Sequence, residues 1–369
     1  MKVLVTGAKG FMGQNLLVPL RRREGVETLE IDVDNASDLE PALAQSDFIF
    51  HLAGVNRPQN IEEFESGNTG LTRTIVDTLT KLGRRPKIVF SSSMQAELDN
   101  PYGVSKRLAE DELARYGVES GAEVAVYRLR NVFGKWCRPN YNSVTATFCH
   151  NVALGLPIEV HEPNRELELV YIDDIIATFL DELDAPRRPE LQRQVVRYTK
   201  VTLGRLAELI QSFRDSRESL VLPDFGDRFV TELYATYLSY LEGPDFSYDL
   251  LSRTDDRGFL AEFVKSKGAG QIFVSRTKPG ITRGNHFHAS KTEKFLVVEG
   301  EGIVRFRNIR THEKVDHPVN GQHLRVVDIP PGWTHSIVNV GPGEMVTLFW
   351  ASEIFDPARP DTTFEGVDL

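Results

Sequence analysis

The chain has 369 residues, enough for two or three domains that each bury a core. Its 53 acidic residues outnumber 43 Lys and Arg, and the resulting formal charge of −10 argues against a nucleic-acid binder, which needs a net basic face. With 41% hydrophobic and 26% charged residues the composition excludes disordered and collagen-like classes, and two cysteines, Cys137 and Cys149, are too few for a disulfide framework and suit a reducing compartment.

The first predicted element is a strand over 2–6. Its apolar run is only Val3-Leu4-Val5, too short for a signal-peptide core, and nowhere does an apolar stretch approach the roughly 20 residues of a membrane-spanning helix. A soluble, cytoplasmic protein with no membrane partner is expected. Helical patterns over 11–22 and 39–45 then alternate with strands over 27–33, 48–52, 87–91 and 123–129. The strands are apolar throughout, as strands covered by helices on both faces must be, so the expected architecture is a Rossmann-type, doubly wound α/β fold with a parallel sheet.

Two more helices are expected over 202–214 and 229–241, and Gly243-Pro244 ends the second, since proline cannot continue a helix. A domain boundary is placed here, giving domains 1–243 and 244–369. Beyond it, short β-type runs over 271–276, 294–298, 302–307, 322–329, 336–340 and 345–350 are separated by Gly, Pro and Asp turns, which indicates an antiparallel sandwich or barrel.

Three clusters carry chemistry. The first, Gly7-Ala8-Lys9-Gly10-Phe11-Met12-Gly13, joins the first strand to an amphipathic helix. Glycines there permit a tight turn and close approach of a pyrophosphate, which the helix N-terminus stabilises. Asp32 lies about twenty residues further on, where an acid accepts from the adenosine ribose and favours NAD. Lys9 points the other way, because a cation in the turn can pair with a 2′-phosphate.

In the second cluster, Tyr102 and Lys106 are four apart at a helix start and project from one face. An ammonium beside a phenol is expected to lower the phenol's pKa and fit it to protonate a developing alkoxide. Ser91-Ser92-Ser93 ends the preceding strand, where open α/β sheets bind ligands, and Ser93 is the expected carbonyl partner.

Together with His51-Leu52-Ala53-Gly54 and Arg130-Asn131-Val132-Phe133-Gly134, these motifs resemble the extended short-chain dehydrogenase/reductase family, particularly its nucleotide-sugar members, over roughly residues 1 to 240. The resemblance implies that Ser93, Tyr102 and Lys106 form the catalytic group, that Ala53 and Gly54 line the cofactor, and that Asn131 meets substrate. Only nine positions separate Ser93 from Tyr102, fewer than is usual in that family.

The third cluster is His286, His288, Glu293 and His335. Alternate histidines on a strand face one side, so His286 and His288 can enter one barrel, and the other two donors complete a three-nitrogen, one-oxygen set for a divalent metal. Gly280, His286-Phe287-His288, Glu293 and Gly300, with Pro330-Pro331-Gly332-Trp333-Thr334-His335, resemble the cupin family, which implies an all-β barrel. Asp255-Asp256-Arg257-Gly258-Phe259 and Arg283-Gly284-Asn285-His286 further resemble cupin-fold deoxysugar epimerases, implying that Arg257 and Arg283 pair with a substrate diphosphate. Those epimerases are metal-free, whereas this chain has the additional His288.

The two halves together resemble the bifunctional capsule-synthesis enzymes acting on a UDP-linked 2-acetamido-2,6-dideoxy-4-hexulose. That resemblance implies a UDP-sugar substrate, a cupin that inverts the carbon beside the ketone, a reductase domain that then reduces C4 with NADPH, zinc as the metal and a homodimer. Two other classes compete. In one, the cupin is a non-catalytic sugar-binding or dimerisation module on a simple reductase. In the other, the Rossmann half is a redox sensor, which needs no Tyr/Lys pair.

Overall fold

In the computed structural model, residues 1–186, 192–193, 197–250, 252–255, 258–261, 264, 270–353 and 358–369 are described. They form two compact units, one of Met1–Val144 with Glu166–Val201 and one of Thr145–Arg165 with Thr202–Leu369.

The first unit contains β1 (Lys2–Thr6), α1 (Phe11–Leu20), β2 (Glu27–Ile31), α2 (Leu39–Gln45), β3 (Phe48–His51), α3 (Glu62–Phe64), α4 (Leu71–Lys81), β4 (Lys87–Ser93), α5 (Pro101–Ser120), β5 (Val124–Leu129) and β6 (Asn131–Phe133). After α6 (Val144–Ala153) it resumes with β7 (Glu166–Tyr171), α7 (Ile172–Asp184), β8 (Gln192–Arg193) and β9 (Thr199–Thr202). Six strands form one sheet in the order β2-β1-β3-β4-β5-β8, and every pairing is parallel. This is the expected doubly wound α/β sheet. Its core joins Leu4, Ile49, Ile88 and Val126 of the sheet to Ile75, Val76 and Leu79 of α4 and Leu113 of α5, all essentially without solvent contact. Parallel pairing aligns strand ends, so Thr6, His51 and Ser93 reach the same carboxyl edge, the ligand-binding edge of such sheets.

The second unit adds α8 (Leu203–Ser219), α9 (Arg228–Leu238), β10 (Ser247–Asp249), β11 (Ser252–Asp255), β12 (Gly258–Ala261), β13 (Gln271–Thr277), β14 (Thr282–Phe287), β15 (Glu293–Glu299), β16 (Glu301–Asn308), β17 (Lys314–Asn320), β18 (Arg325–Ile329), β19 (Trp333–Asn339), β20 (Met345–Ala351) and β21 (Thr363–Phe364). Two antiparallel five-stranded sheets, β10-β18-β15-β20-β13 and β17-β16-β19-β14-β21, make the cupin barrel. Their inner faces meet where Phe295 of β15 packs edge-on to His335 of β19, with ring centroids 5.7 Å apart.

Strand alternation gives β15 two buried faces. Glu293 and Phe295 point into the barrel, and Lys294 points out, yet it too is buried. Its register partner on β18 is Asp328, whose carboxylate receives the Lys294 ammonium and, at 2.6 Å, the Arg217 guanidinium from α8. Tyr248 of β10 completes the group, its hydroxyl 3.0 Å from Lys294 Nζ. Burial alone pushes the Lys294 amine down, but the charge of Asp328 outweighs it and holds the group well above its ordinary range. Removing one partner of a buried ion pair strands the other, at a cost of about 3–5 kcal/mol. Asp328→Leu, which strands two cations, is therefore expected to lower unfolding stability by about that amount. A urea midpoint unchanged from wild type would contradict the assignment.

Candidate functional site

In the first unit, the glycine turn behaves as its spacing predicts. Gly7 has φ +70°, and a Cβ there would lie 2.7 Å from Ala53 N, while one on Gly13 would lie 2.2 Å from Gly7 O. Gly10 is the N-cap of α1 and offers no side chain, so the first-turn N–H groups at Phe11 and Met12 open toward the strand edge as an anion cradle. Asp32 Oδ2 accepts from Lys9 N at 2.8 Å and its Oδ1 from Val33 N, and the Lys9 ammonium is paired with Asp34. Acid and cation therefore sit together over the turn, with the Lys9 charge paired to Asp34. Ala53 and Gly54 follow β3, with Ala53 N donating to Thr6 Oγ1 at 3.3 Å.

Tyr102 opens α5, capped by Asn100 Oδ1, which accepts from Gly103 N at 2.8 Å. One turn on, Lys106 is 4% exposed, and its Nζ donates to Ser91 O at 3.0 Å. A Cβ on Gly54 would lie 2.7 Å from Asn68 Oδ1 and 3.0 Å from that Nζ, so glycine here keeps the backbone close to both side chains. Ser93 ends β4, where its hydroxyl accepts from Gln95 N at 3.2 Å and lies near enough to the Tyr102 phenol to pull its pKa down. Ser93 and Tyr102 are thus neighbours, Lys106 follows one helical turn after Tyr102 with its amine on Ser91 O, and the short Ser93-to-Tyr102 connection is closed by a turn at 94–97.

One expectation is corrected. Burial raises the Tyr102 phenol above its ordinary range, and the neighbouring Ser93 hydroxyl offsets this only in part, so the net shift is opposite to the lowering expected from Lys106. The physical reason is that Lys106 is itself desolvated. Burial pushes its amine down to about 8, against the pull of Glu110.

Glu110 is one of the residues that the sequence reading missed. It continues the Tyr102/Lys106 face by one more turn, where its carboxylate accepts from Ser92 Oγ and from Arg128, whose Nη2 is 2.6 Å and Nε 3.0 Å away. The i+4 spacing could have revealed it. Asn68 was also missed: it is buried and joins Val55, through both backbone groups at 2.9 Å, to Ser105 Oγ. No local pattern marks that link. His51 bridges Thr6 Oγ1 and Thr72 Oγ1 at 2.8 and 2.9 Å, and burial pushes it down to about 3, so the imidazole beneath the site stays neutral. Asn131 lies exposed on β6. Arg57 and Arg138, also unforeseen, both lie over the Tyr141 ring, 6.0 and 4.9 Å from its centroid.

In the second unit, His286, His288, Glu293 and His335 offer ligand atoms that all lie within 4.8 Å of one another. His288 Nε2 and His335 Nε2 are buried without a hydrogen-bond partner, 3.4 and 3.6 Å from Glu293 Oε2. Orphaned buried nitrogens facing a carboxylate fit a cation, and the three-imidazole, one-carboxylate set suits zinc. Burial lowers His286 to about 3 and lowers His335, which keeps both rings in the neutral, ligating form. Burial opposes ionisation of Glu293, but His288 and His335 outweigh it and hold the carboxyl well below its ordinary range. Lys291, unforeseen though it precedes Glu293 by two, reaches Glu293 Oε1 at 3.0 Å.

The two histidines do not share a simple strand. β14 ends at Phe287, so His288 lies just beyond it, and a bulge at Asn285 puts Gly284 opposite Ser336 but His286 opposite His335. By the same register Arg283 falls on the face of His286; its guanidinium donates to Thr277 Oγ1 at 3.0 Å and Arg276 O at 3.1 Å. Arg257 lies outside the described residues.

A nucleotide-binding α/β unit and a metal-suited β-barrel define a two-part enzyme chain. A family model for the NAD dependent epimerase/dehydratase family matches residues 3–196, and one for a polysaccharide biosynthesis C-terminal domain matches 253–363. The UDP-2-acetamido-2,6-beta-L-arabino-hexul-4-ose reductase of Pseudomonas aeruginosa is 46% identical over 363 residues, 98% of each chain. The crystal structure of capsular polysaccharide assembling protein CapF from Staphylococcus aureus matches with TM-score 0.69 and 46% identity over 100% of both chains. UDP-glucuronic acid 4-epimerase from Bacillus cereus, in complex with NAD, shares the fold: TM-score 0.53 and 16% identity over 58% of this chain and 84% of that one. The chain belongs to the NAD dependent epimerase/dehydratase family.

The Lys106 amine is expected to titrate near 8 in the folded chain and lower than that in Glu110→Gln, because the Glu110 carboxylate raises it against the effect of burial. Carbon-13 NMR of the lysine side chain reads both values; an unchanged midpoint in the variant would show that Glu110 does not act on Lys106.

Proposed function

We propose that the chain is a bifunctional nucleotide-sugar enzyme of capsule or O-antigen synthesis. Its barrel unit epimerises C3 of a UDP-2-acetamido-2,6-dideoxy-4-hexulose, and its α/β unit reduces the C4 ketone with NADPH. The product is a UDP-N-acetyl-6-deoxy-L-talosamine-type sugar, a precursor of UDP-N-acetyl-L-fucosamine. The observation that carries this reading is a chain that sets Ser93 and Tyr102 side by side at the sheet edge, with Lys106 one turn on, and also gathers four candidate metal donors. The P. aeruginosa relative, similar over nearly its whole length, supports the substrate class.

When bound in the reductase, NADPH would supply the hydride. Ser93 donates a hydrogen bond to the C4 carbonyl oxygen, and Tyr102 gives that oxygen its proton as it becomes an alkoxide. The raised phenol pKa keeps Tyr102 protonated, which is the form a donor needs. Lys106 is assigned, with Tyr102, to the cofactor. Lys9 is the cation assigned to the 2′-phosphate, which it would meet by exchanging its Asp34 partner, while Gly7, Gly10 and Gly13 are assigned to the pyrophosphate and Asp32 to the ribose. Asn131, Arg257 and Arg283 are assigned to the sugar nucleotide.

In the barrel, His286, His288, Glu293 and His335 would hold a divalent ion, zinc by donor type, which supplies a Lewis acid beside the ketone. Inversion must precede reduction, because a C3 hydrogen is acidic only while the neighbouring carbonyl remains. Glu293 is held ionised by the imidazoles, and Lys291 secures its second oxygen, so the donor set is rigid before substrate arrives. A cytoplasmic homodimer completes the reading, supported by the exposed Ile272, Phe273 and Val274 on edge strand β13.

A second reading has one observation in its favour: four protein donors close a tetrahedral zinc site, leaving no open position. The chain would then be a single-function UDP-4-keto-sugar reductase with a non-catalytic sugar-binding or dimerisation cupin.

Proton NMR of the full chain with the UDP-4-keto sugar in heavy water separates the two. Without NADPH, the first reading predicts deuterium at C3 and the second none. Tyr102→Phe should slow reduction about 10²–10⁴-fold and leave exchange intact. His288→Ala should lose metal and end exchange. Normal NADPH oxidation by the first variant, or exchange by a metal-free second, would refute the respective assignment.

A further inference from the structure

The last residues of the chain return to the metal-ligating strand, and they do so with polar contacts. β21 pairs Phe364 with His286 and Thr363 with Phe287. A bulged residue is left unpaired by its neighbouring strand, and here Glu365 N donates to the carbonyl of the bulged Asn285 at 2.8 Å. Buried Arg307 anchors the segment through the Glu365 carboxylate and, at 3.2 Å, Gly366 O. Apolar anchoring is not the reason for this course: Phe364 is 81% exposed.

Asp361 acts on the other side of the strand end. Its Oδ1 accepts from Ala289 N at 2.8 Å, and its Oδ2 from Ser290 N at 2.8 Å, Ser290 Oγ at 3.0 Å and Lys291 N at 2.7 Å. One carboxylate thus fixes the whole turn between His288 and Glu293. The Asp361 backbone carbonyl meets His288 Nδ1. A carbonyl only accepts, so the proton must sit on Nδ1, and Nε2 keeps its lone pair facing the other donors.

We infer that Asp361 is a positioning residue of the metal centre: the segment Asp361–Val367 sets the tautomer and plane of the His288 ring and holds the bulge that aims His286. This rests on reading His286, His288, Glu293 and His335 as ligands. Partners of this kind, which hold a ligand's second nitrogen, typically change metal affinity by about 10–100-fold when lost.

The test uses the full metal-free chain titrated with Co²⁺ against a chromophoric chelator, with the visible ligand-field bands recorded for each complex. Asp361→Ala is expected to bind Co²⁺ about 10–100-fold more weakly and to shift the bands, because the backbone carbonyl that meets His288 Nδ1 is displaced once no carboxylate holds the turn. Wild-type affinity and bands in the variant would overturn the inference. So would an early-melting variant whose cobalt complex keeps wild-type bands, since that is a merely structural role. If Asp361→Ala does not fold, Asp361→Asn, which keeps one acceptor, is expected to show intermediate affinity with shifted bands, and an unshifted spectrum overturns the inference there. A wild-type chain that takes up no cobalt would instead remove the metal centre itself, and this inference with it.

Discussion

Strand β15 carries two adjacent charges that cannot both be buried unless the protein supplies partners on both faces. Glu293 faces the barrel interior and Lys294 the opposite side, and each meets its partners there: the Lys291 ammonium and the His288 and His335 rings for Glu293, Asp328 for Lys294. A one-residue slip of register would exchange these faces and leave two unpaired charges in apolar surroundings, at several kcal/mol apiece. The pairing of β15 with β18 and β20 is therefore fixed by electrostatics as well as by packing. The position of Glu293 opposite His288 and His335 follows from that fixed register. The outer network on Asp328 also explains why α8, through Arg217, belongs to the same compact unit as the barrel.

The α/β unit places its chemistry by a different constraint. Parallel strands end together, and whatever the last residues of β1, β3 and β4 carry meets at one edge. Thr6, His51 and Ser93 are those residues, and α5 lays Tyr102, Lys106 and Glu110 beside them in successive turns. Burial then decides the electrostatics. It keeps Tyr102 protonated and brings Lys106 close to neutrality of charge near pH 8, so the amine responds to whatever charge arrives next to it. The sheet supplies position, and desolvation supplies reactivity.

Much of this was legible in the chain itself. Parallel strands with both faces covered are apolar throughout, so their run lengths located β1, β3, β4 and β5 to within a residue or two, and the donor spacing at His286, His288, Glu293 and His335 named the residues that the barrel gathers. What escaped was non-local. Asn68 clamps a loop thirteen residues away, and Asp361 reaches back more than seventy to the turn after His288, and neither has a periodicity to announce it. The bulge at Asn285 was hidden for a related reason: an inserted residue breaks the two-residue alternation on which strand reading depends. The phenol of Tyr102 was misjudged because spacing shows that a cation is near but not that the cation is itself desolvated.

The account stands on the convergence of three imidazoles and one carboxylate on a single ion. X-ray absorption at the metal edge of the purified chain, together with elemental analysis, tests this most directly. One divalent ion per chain in a shell of three imidazole nitrogens and one carboxylate oxygen, at about 2.0–2.2 Å for zinc, is the predicted result. A chain that purifies with no metal and takes up none, or an ion whose shell contains no imidazole, would contradict it.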